Sequence, residues 1–165
     1  MPRTAARLKS LGFTLIELLV TLALVGVAAM VVLPMASLME NRAKETELRQ
    51  ALRTLRKAID EYKTAADAGM INKSTGSSGY PPSLEALVTG VPRTSVFGFN
   101  ATPMVFLRSI PRDPFYPDRT TPAVQTWNLR SYGAQPGDYS RGADVFDVSS
   151  RSSKQALDGS YLNDW

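Results

Sequence analysis

Apolar residues fill one long run near the start of the chain and then change to a periodic pattern. From Phe13 to Ala36 the run holds one ionisable side chain, Glu17, and it has about the 20 residues that a helix needs to cross a bilayer. Farther along, apolar residues recur at spacings of three and four, which predicts one apolar stripe on a continuing helix. Its members are Leu48, Leu52, Leu55, Ile59, Tyr62 and Ala66. The pattern predicts one helix from Phe13 to about Ala66, roughly 80 Å long at 1.5 Å per residue.

The remainder of the chain predicts a small domain of mixed structure. Residues 67–79 are typical of a loop, and a short helix follows Ser83 and ends at Gly90. Trp127–Tyr132 and Ala143–Val148 are predicted strands that pair antiparallel and pack on the amphipathic part of the long helix. Six apolar residues before them are expected to cover the same helix: Phe97, Phe99, Val105, Phe106, Leu107 and Ile110. The predicted fold class is α+β, a long N-terminal helix with a small antiparallel sheet.

Composition removes several function classes. The chain has no histidine and no cysteine, so it lacks the commonest general base, the commonest transition-metal ligand and any disulfide. Its net charge is +4, but three of the 19 basic side chains and none of the 15 acidic ones precede residue 13. The rest of the chain is nearly neutral, and this pattern indicates a topology signal rather than a nucleic-acid surface. We therefore predict no enzyme and no nucleic-acid partner.

The start of the apolar run carries a motif. Basic residues without an acidic one precede Gly12, and Phe-Thr-Leu-Ile-Glu-Leu-Leu-Val follows it from Phe13. This junction resembles the class III signal of type IV pilins and type II secretion pseudopilins. The resemblance implies that a prepilin peptidase cuts between Gly12 and Phe13 and methylates the new amino group of Phe13. It also implies that Glu17 pairs with the Phe13 amine of a neighbouring subunit during filament assembly.

Glu17 also separates this interpretation from a plain membrane anchor. A carboxylate costs about 2.5–3.5 kcal/mol at a bilayer centre on insertion scales, and less near the end of a span, so it needs a functional reason. An ordinary signal peptide has a shorter apolar core of about 7–15 residues.

Pro34 interrupts the apolar helix and predicts a kink. The resemblance adds that the helix melts locally near this point when subunits enter a filament.

The predicted organisation has four parts. Residues 1–12 are a cleaved leader, 13–40 a transmembrane and assembly helix, 41–66 its amphipathic continuation, and 67–165 a periplasmic head. Basic residues before the span place the amino terminus in the cytoplasm and the head outside the inner membrane.

Three further stretches resemble the major pseudopilin of type II secretion, the general secretion pathway protein G type. They are Tyr80-Pro81-Pro82-Ser83-Leu84-Glu85-Ala86-Leu87, Ile110-Pro111-Arg112-Asp113-Pro114-Phe115 and Phe146-Asp147-Val148-Ser149-Ser150. In the second stretch, Phe115 stands where that branch usually has Trp. Motility pilins often close their C-terminal loop with a disulfide, which this chain cannot form.

The same resemblance implies calcium in the C-terminal loop, and Asp147 and Asp158 are the first choices as ligands. Calcium takes six to eight oxygen ligands, many of them carboxylates. The loop here contains Arg151 and Lys154, so two alternatives stay open. Either the acidic residues form a solvated turn, or Arg151 or Lys154 pairs with these aspartates in place of the ion.

Taken together, these patterns predict a structural subunit that forms a homo-oligomeric helical filament, the periplasmic pseudopilus of a type II secretion system. The expected partners are prepilin peptidase, the inner-membrane assembly platform and minor pseudopilins. A type IV pilin of a surface filament is the alternative within the class. A single-span membrane-anchored binding module is the alternative from another class.

Overall fold

The computed structural model describes residues 12–73, 76–94, 102–135, 137–139 and 142–165, except for the side chains of residues 31, 33 and 34. Its helices are α1 (Leu15–Asp67) and α2 (Leu84–Thr89), and its strands are β1 (Trp127–Arg130) and β2 (Asp147–Ser150). Two short 3-10 helices lie at Ala123–Thr126 and Leu162–Asp164. The chain divides into two compact units between Glu40 and Asn41. The predicted α+β class, with one long N-terminal helix and a small antiparallel sheet, is confirmed.

Helix α1 contains 53 residues and confirms the predicted long helix to within two residues at each end. All six members of its predicted apolar stripe are buried, and Leu48, Leu55 and Ile59 are fully so. The helix ends in a Schellman motif, because Met70 N–H donates to Ala65 O and Gly69 N–H donates to Ala66 O. Gly69 supplies the positive φ of 68° that this motif requires. The second half of α1 is therefore the centre of the core of the second unit.

Helix α2 lies where the sequence predicts it. Ser83 occupies the N-cap position, although its side chain makes no capping hydrogen bond, and Gly90 follows the last turn with φ 83°. A Cβ at Gly90 would lie 2.9 Å from Val105 Cγ2, so this position needs glycine for space as well as for conformation. Leu84 and Leu87 are fully buried and bring α2 into the core.

The two strands pair antiparallel, with Trp127 opposite Ser150 and Arg130 opposite Asp147. The first predicted strand is two residues too long, and the second prediction, Ala143–Val148, begins four residues and ends two residues too early. The cause is Asp144, whose carboxylate accepts hydrogen bonds from Ser131 Oγ at 2.6 Å, from Tyr132 N–H at 2.9 Å and from the Ser78 hydroxyl. These bonds hold Asp144 in a turn, so pairing begins only at Asp147.

The segment between α2 and β1 covers part of α1. Leu107 is buried, Ile110 packs against the core, and the Phe106 ring lies 5.2 Å from the Tyr62 ring. Val105 contributes less to this cover, because it is 54% exposed. Phe97 and Phe99 lie outside the described residues. This segment completes the core, which is otherwise built on α1.

Candidate functional site

The amino-terminal end of α1 is capped by Thr14. Its main-chain oxygen accepts the first helical hydrogen bond, from Leu18 N–H at 3.2 Å. Its hydroxyl accepts a second one from Glu17 N–H at 3.3 Å. Thr14 is thus the N-cap residue and Glu17 the third residue of the helix, which is the Thr-x-x-Glu order of a capping box. The sequence prediction missed the role of Thr14, although the four-residue pattern marks it.

Gly12 and Phe13 precede the cap and lie on the surface. Phe13 is 82% exposed, and among the described residues no atom lies within 4 Å of the position that a Cβ on Gly12 would take. The peptide bond between them is outside α1, whose first residue is Leu15. This bond therefore lies outside the helical hydrogen-bond ladder of α1.

The first part of α1 has the length and composition of a membrane span. An 18-residue window has a mean hydropathy of 2.6, and none of it is buried. Large apolar side chains on every face are at least half exposed, among them Leu18, Leu19, Leu22 and Val25. A helix that is apolar all round needs lipid or other helices to cover it. These observations agree with anchoring in a membrane.

Glu17 is the charged residue of this apolar part. It lies in the first turn of α1, where a negative charge complements the helix dipole. Within the described part of the chain its carboxylate forms no ion pair. In an apolar environment such a group requires a partner from another molecule.

Pro34 lies inside α1, and the helix continues past it to Asp67. The proline therefore does not end the helix, and the kink at this position stays a prediction.

The C-terminal aspartates do not come together. Asp147 Oδ1 accepts a hydrogen bond from Arg56 Nε at 2.8 Å, and its Oδ2 accepts one from Arg130 Nη2 at 3.1 Å. Asp158 Oδ2 lies 3.0 Å from Arg49 Nη2, and its Oδ1 accepts hydrogen bonds from the hydroxyl and N–H of Ser160. Those two hydrogen bonds from Ser160 are the main reason that the pKa of Asp158 lies below its ordinary value. The positive charge of Arg49 lowers this pKa further.

This arrangement does not fit a calcium site. Arg49 and Arg56 are two turns apart on α1, roughly 10 Å along the helix axis, so the aspartates bound to them lie at separate places. Among the residues that the structure describes, no three acidic, histidine or cysteine side chains are grouped as metal ligands. Asp147 is also flanked by two guanidinium groups, which would repel a divalent cation.

The basic partners of the aspartates differ from those expected. Arg151 donates to Gln125 O at 3.0 Å, and neither it nor Lys154 has an ion pair with Asp147 or Asp158. Arg49 and Arg56 take that place, from a helix about 100 positions away in the sequence. Arg49 and Arg56 are seven residues apart, which places both side chains on one face of the helix. This spacing is the sequence signal that could have identified them as partners of the aspartates.

The Asp144 carboxylate also accepts its hydrogen bonds from groups within the fold. Burial alone would raise the pKa of Asp144, but the Ser131 and Ser78 hydroxyls and the Tyr132 N–H outweigh it and lower the pKa. The carboxylate fastens the loop before α2 to the end of β1, which is a structural role.

Comparison with known protein families finds a match at the start of the chain. Residues 7–33 match a family model described as the prokaryotic N-terminal methylation motif. No curated protein and no solved structure matches the chain. The matched residues include the exposed Gly12–Phe13 bond, the Thr14 cap and Glu17. The match, confined to residues 7–33, indicates the N-terminal motif of a type IV pilin-like substrate of prepilin peptidase.

Proposed function

We propose that this chain is a structural subunit of a type II secretion pseudopilus. Prepilin peptidase removes residues 1–12 and methylates Phe13, and the apolar part of α1 holds the processed subunit in the inner membrane before assembly. The observation that carries the proposal is the methylation motif on an exposed junction followed by an uncovered apolar helix. Such a helix is stable in lipid, and helices of identical subunits that cover one another would also shield it from water.

Glu17 gives assembly its selectivity. Cleavage leaves a positively charged amine on Phe13, one turn before a carboxylate that has no ion-pair partner within the described chain. The amine of one subunit and the carboxylate of the next neutralise each other in an apolar environment, where either charge alone would be costly. A subunit is therefore accepted into the filament only after its leader has been removed.

Two features favour the secretion pseudopilus over a surface pilus. The chain lacks cysteine, so no disulfide closes the C-terminal segment. The motif residues shared with major pseudopilins also have structural roles: Leu84 and Leu87 are fully buried in α2, and Asp113 is fully buried within the second motif. In this setting the partners are the inner-membrane assembly platform and minor pseudopilins.

The first experiment tests processing and assembly together. The chain is expressed in cells with its peptidase, and intact-mass analysis should show a subunit that begins at Phe13 and carries one methyl group. Glu17→Leu should leave cleavage and membrane insertion intact and abolish filaments in sheared preparations seen by electron microscopy. Thr21→Val is the matched control, because Thr21 lies one turn farther along α1 and its hydroxyl donates within that helix, to Leu18 O.

Three results separate the alternatives. Filaments from Glu17→Leu at the wild-type level would contradict the assembly role of this residue. Filaments confined to the periplasm, together with loss of protein export when the chain is deleted, would support the pseudopilus, whereas surface filaments without an export defect would identify a pilin. An uncleaved chain that forms no filament would identify a single-span anchored module.

A further inference from the structure

The C-terminal segment, residues 147–165, is fastened to one face of α1. Leu162 and Val148 are fully buried, so the segment is part of the core. Three α1 side chains at spacings of four and seven reach it: Glu45, Arg49 and Arg56. Glu45 Oε1 accepts a hydrogen bond from Leu157 N–H at 2.7 Å, which fixes the near end of the contact.

Arg56 holds the two ends of the segment at once. Its Nε donates to Asp147 Oδ1 at 2.8 Å, and its Nη2 donates to Val148 O at 3.0 Å and to the main-chain oxygen of Trp165 at 2.6 Å. A planar guanidinium with several fixed donors suits such a junction, and a single ammonium does not. Arg130 neutralises the other oxygen of Asp147.

Arg49 makes a second junction at the tip of the segment. Its Nη2 pairs with Asp158 Oδ2 at 3.0 Å, and its Cζ lies 4.2 Å from the centre of the Trp165 ring. Ser160 closes this network, because its hydroxyl donates to Asp158 Oδ1 and accepts a hydrogen bond from Trp165 Nε1 at 2.7 Å. The cation of Arg49 is thus bound by a carboxylate and an aromatic face together.

We infer that Arg49 and Arg56 hold the C-terminal segment in place of a calcium ion, so that this subunit folds and assembles independently of calcium. A calcium ion joins loop oxygens by placing positive charge between them. Here the guanidinium groups supply that charge from α1, and the oxygens of Asp147, Asp158 and Trp165 are already bound to them. The part of the inference that concerns assembly rests on the proposed function.

The test uses the processed full-length protein in detergent. Thermal unfolding is followed by tryptophan fluorescence, in calcium and in chelator. The wild-type curves should coincide, since a ligand raises Tm only when it binds the folded state. Arg56→Gln should lower Tm by roughly 5 °C in both conditions. Arg53→Gln is the matched control, because Arg53 lies between the two arginines and its Nε donates within α1, to Arg49 O.

A rise of the wild-type Tm in calcium would overturn the inference, and so would equal effects of Arg56→Gln and Arg53→Gln. If Arg56→Gln does not fold, Arg49→Gln gives the answer, because the Arg49–Asp158 pair is half exposed. Iodide quenching of tryptophan fluorescence reports the effect of Arg49→Gln on Trp165. Trp127 is 3% exposed and therefore shielded from iodide, whereas Trp165 is more accessible. Increased quenching in Arg49→Gln supports the role of Arg49, and unchanged quenching contradicts it.

Filament yield tests the assembly part. Sheared filaments from cells grown in chelator should equal those from cells grown in calcium, and a loss in chelator alone would overturn the inference. Absence of filaments in both conditions would refute the proposed function. The melting curves would still decide whether arginines or calcium hold the segment.

Discussion

Asp113 offers the sharpest test of how the second unit is held together. Its side chain is fully buried, and among the described residues two neutral groups donate to its carboxylate. Phe115 N–H donates to Oδ1 at 2.8 Å, and the Ser150 hydroxyl donates to Oδ2 at 2.6 Å. The first bond shapes the turn after Pro111, and the second joins that turn to the end of β2.

We predict that Asp113→Ala removes a large share of the stability. Hydrogen bonds to charged groups contribute about 1.5–3 kcal/mol each, so the loss of two costs about 3–6 kcal/mol. A domain has only about 5–15 kcal/mol in total, and Tm should fall by about 10 °C or more. Asp113→Asn should cost less, about 1–2 kcal/mol, because the amide oxygen still accepts from Phe115 and the amide nitrogen can donate to Ser150.

The measurement is thermal unfolding of the processed protein in detergent, with Asp60→Ala as control. Asp60 is exposed on α1, and such surface changes usually stay within about 0.5 kcal/mol. The reasoning is refuted if Asp113→Ala unfolds within 2 °C of Asp60→Ala, a difference worth only about 0.5 kcal/mol, because a satisfied buried carboxylate cannot be that dispensable. It is also refuted if Asp113→Asn is the more damaging of the two substitutions.

Three further predictions concern other parts of the chain. Gly90→Ala should destabilise the protein by about 1–3 kcal/mol, because φ is positive and the new Cβ would meet Val105. Gly133→Ala is the control and should have no effect, because a Cβ there would point into open space. Equal melting temperatures of the two variants would contradict the prediction. The Thr121 and Thr120 hydroxyls lower the pKa of Asp118 from 3.8 to about 2, so its contribution is present above pH 3.8 and is lost as the pH falls through 2. Asp118→Asn should therefore flatten the pH dependence of Tm between these values, and an unchanged slope would refute it. Gly12→Trp should block cleavage while Gly12→Ala keeps part of it, as judged by intact mass, and full processing of the Trp variant would contradict the assigned junction.

The sequence alone determined the features that depend on near neighbours. The run from Phe13 to Ala36 and the stripe that begins at Leu48 predicted α1 almost to its ends, because helical periodicity is a local property. The methylation motif that includes Gly12 and Phe13 was recognisable for the same reason, because it is a short linear segment. The short helix α2 followed from a cap residue and a stopping glycine.

Tertiary structure alone decided the partners of the charged residues and the limits of the second strand. The side chains of Asp147 and Asp158 are carboxylates, which can bind either calcium or arginine, so residue type does not identify their partner. Their sequence neighbours Arg151 and Lys154 are not their partners. The partners are Arg56 and Arg49, which lie 91 and 109 positions away. Which oxygen a cation reaches depends on how α1 packs against the C-terminal segment, and that packing is set by the whole core. The start of β2 was decided in the same way, because Asp144 is held in a turn by donors from two distant loops.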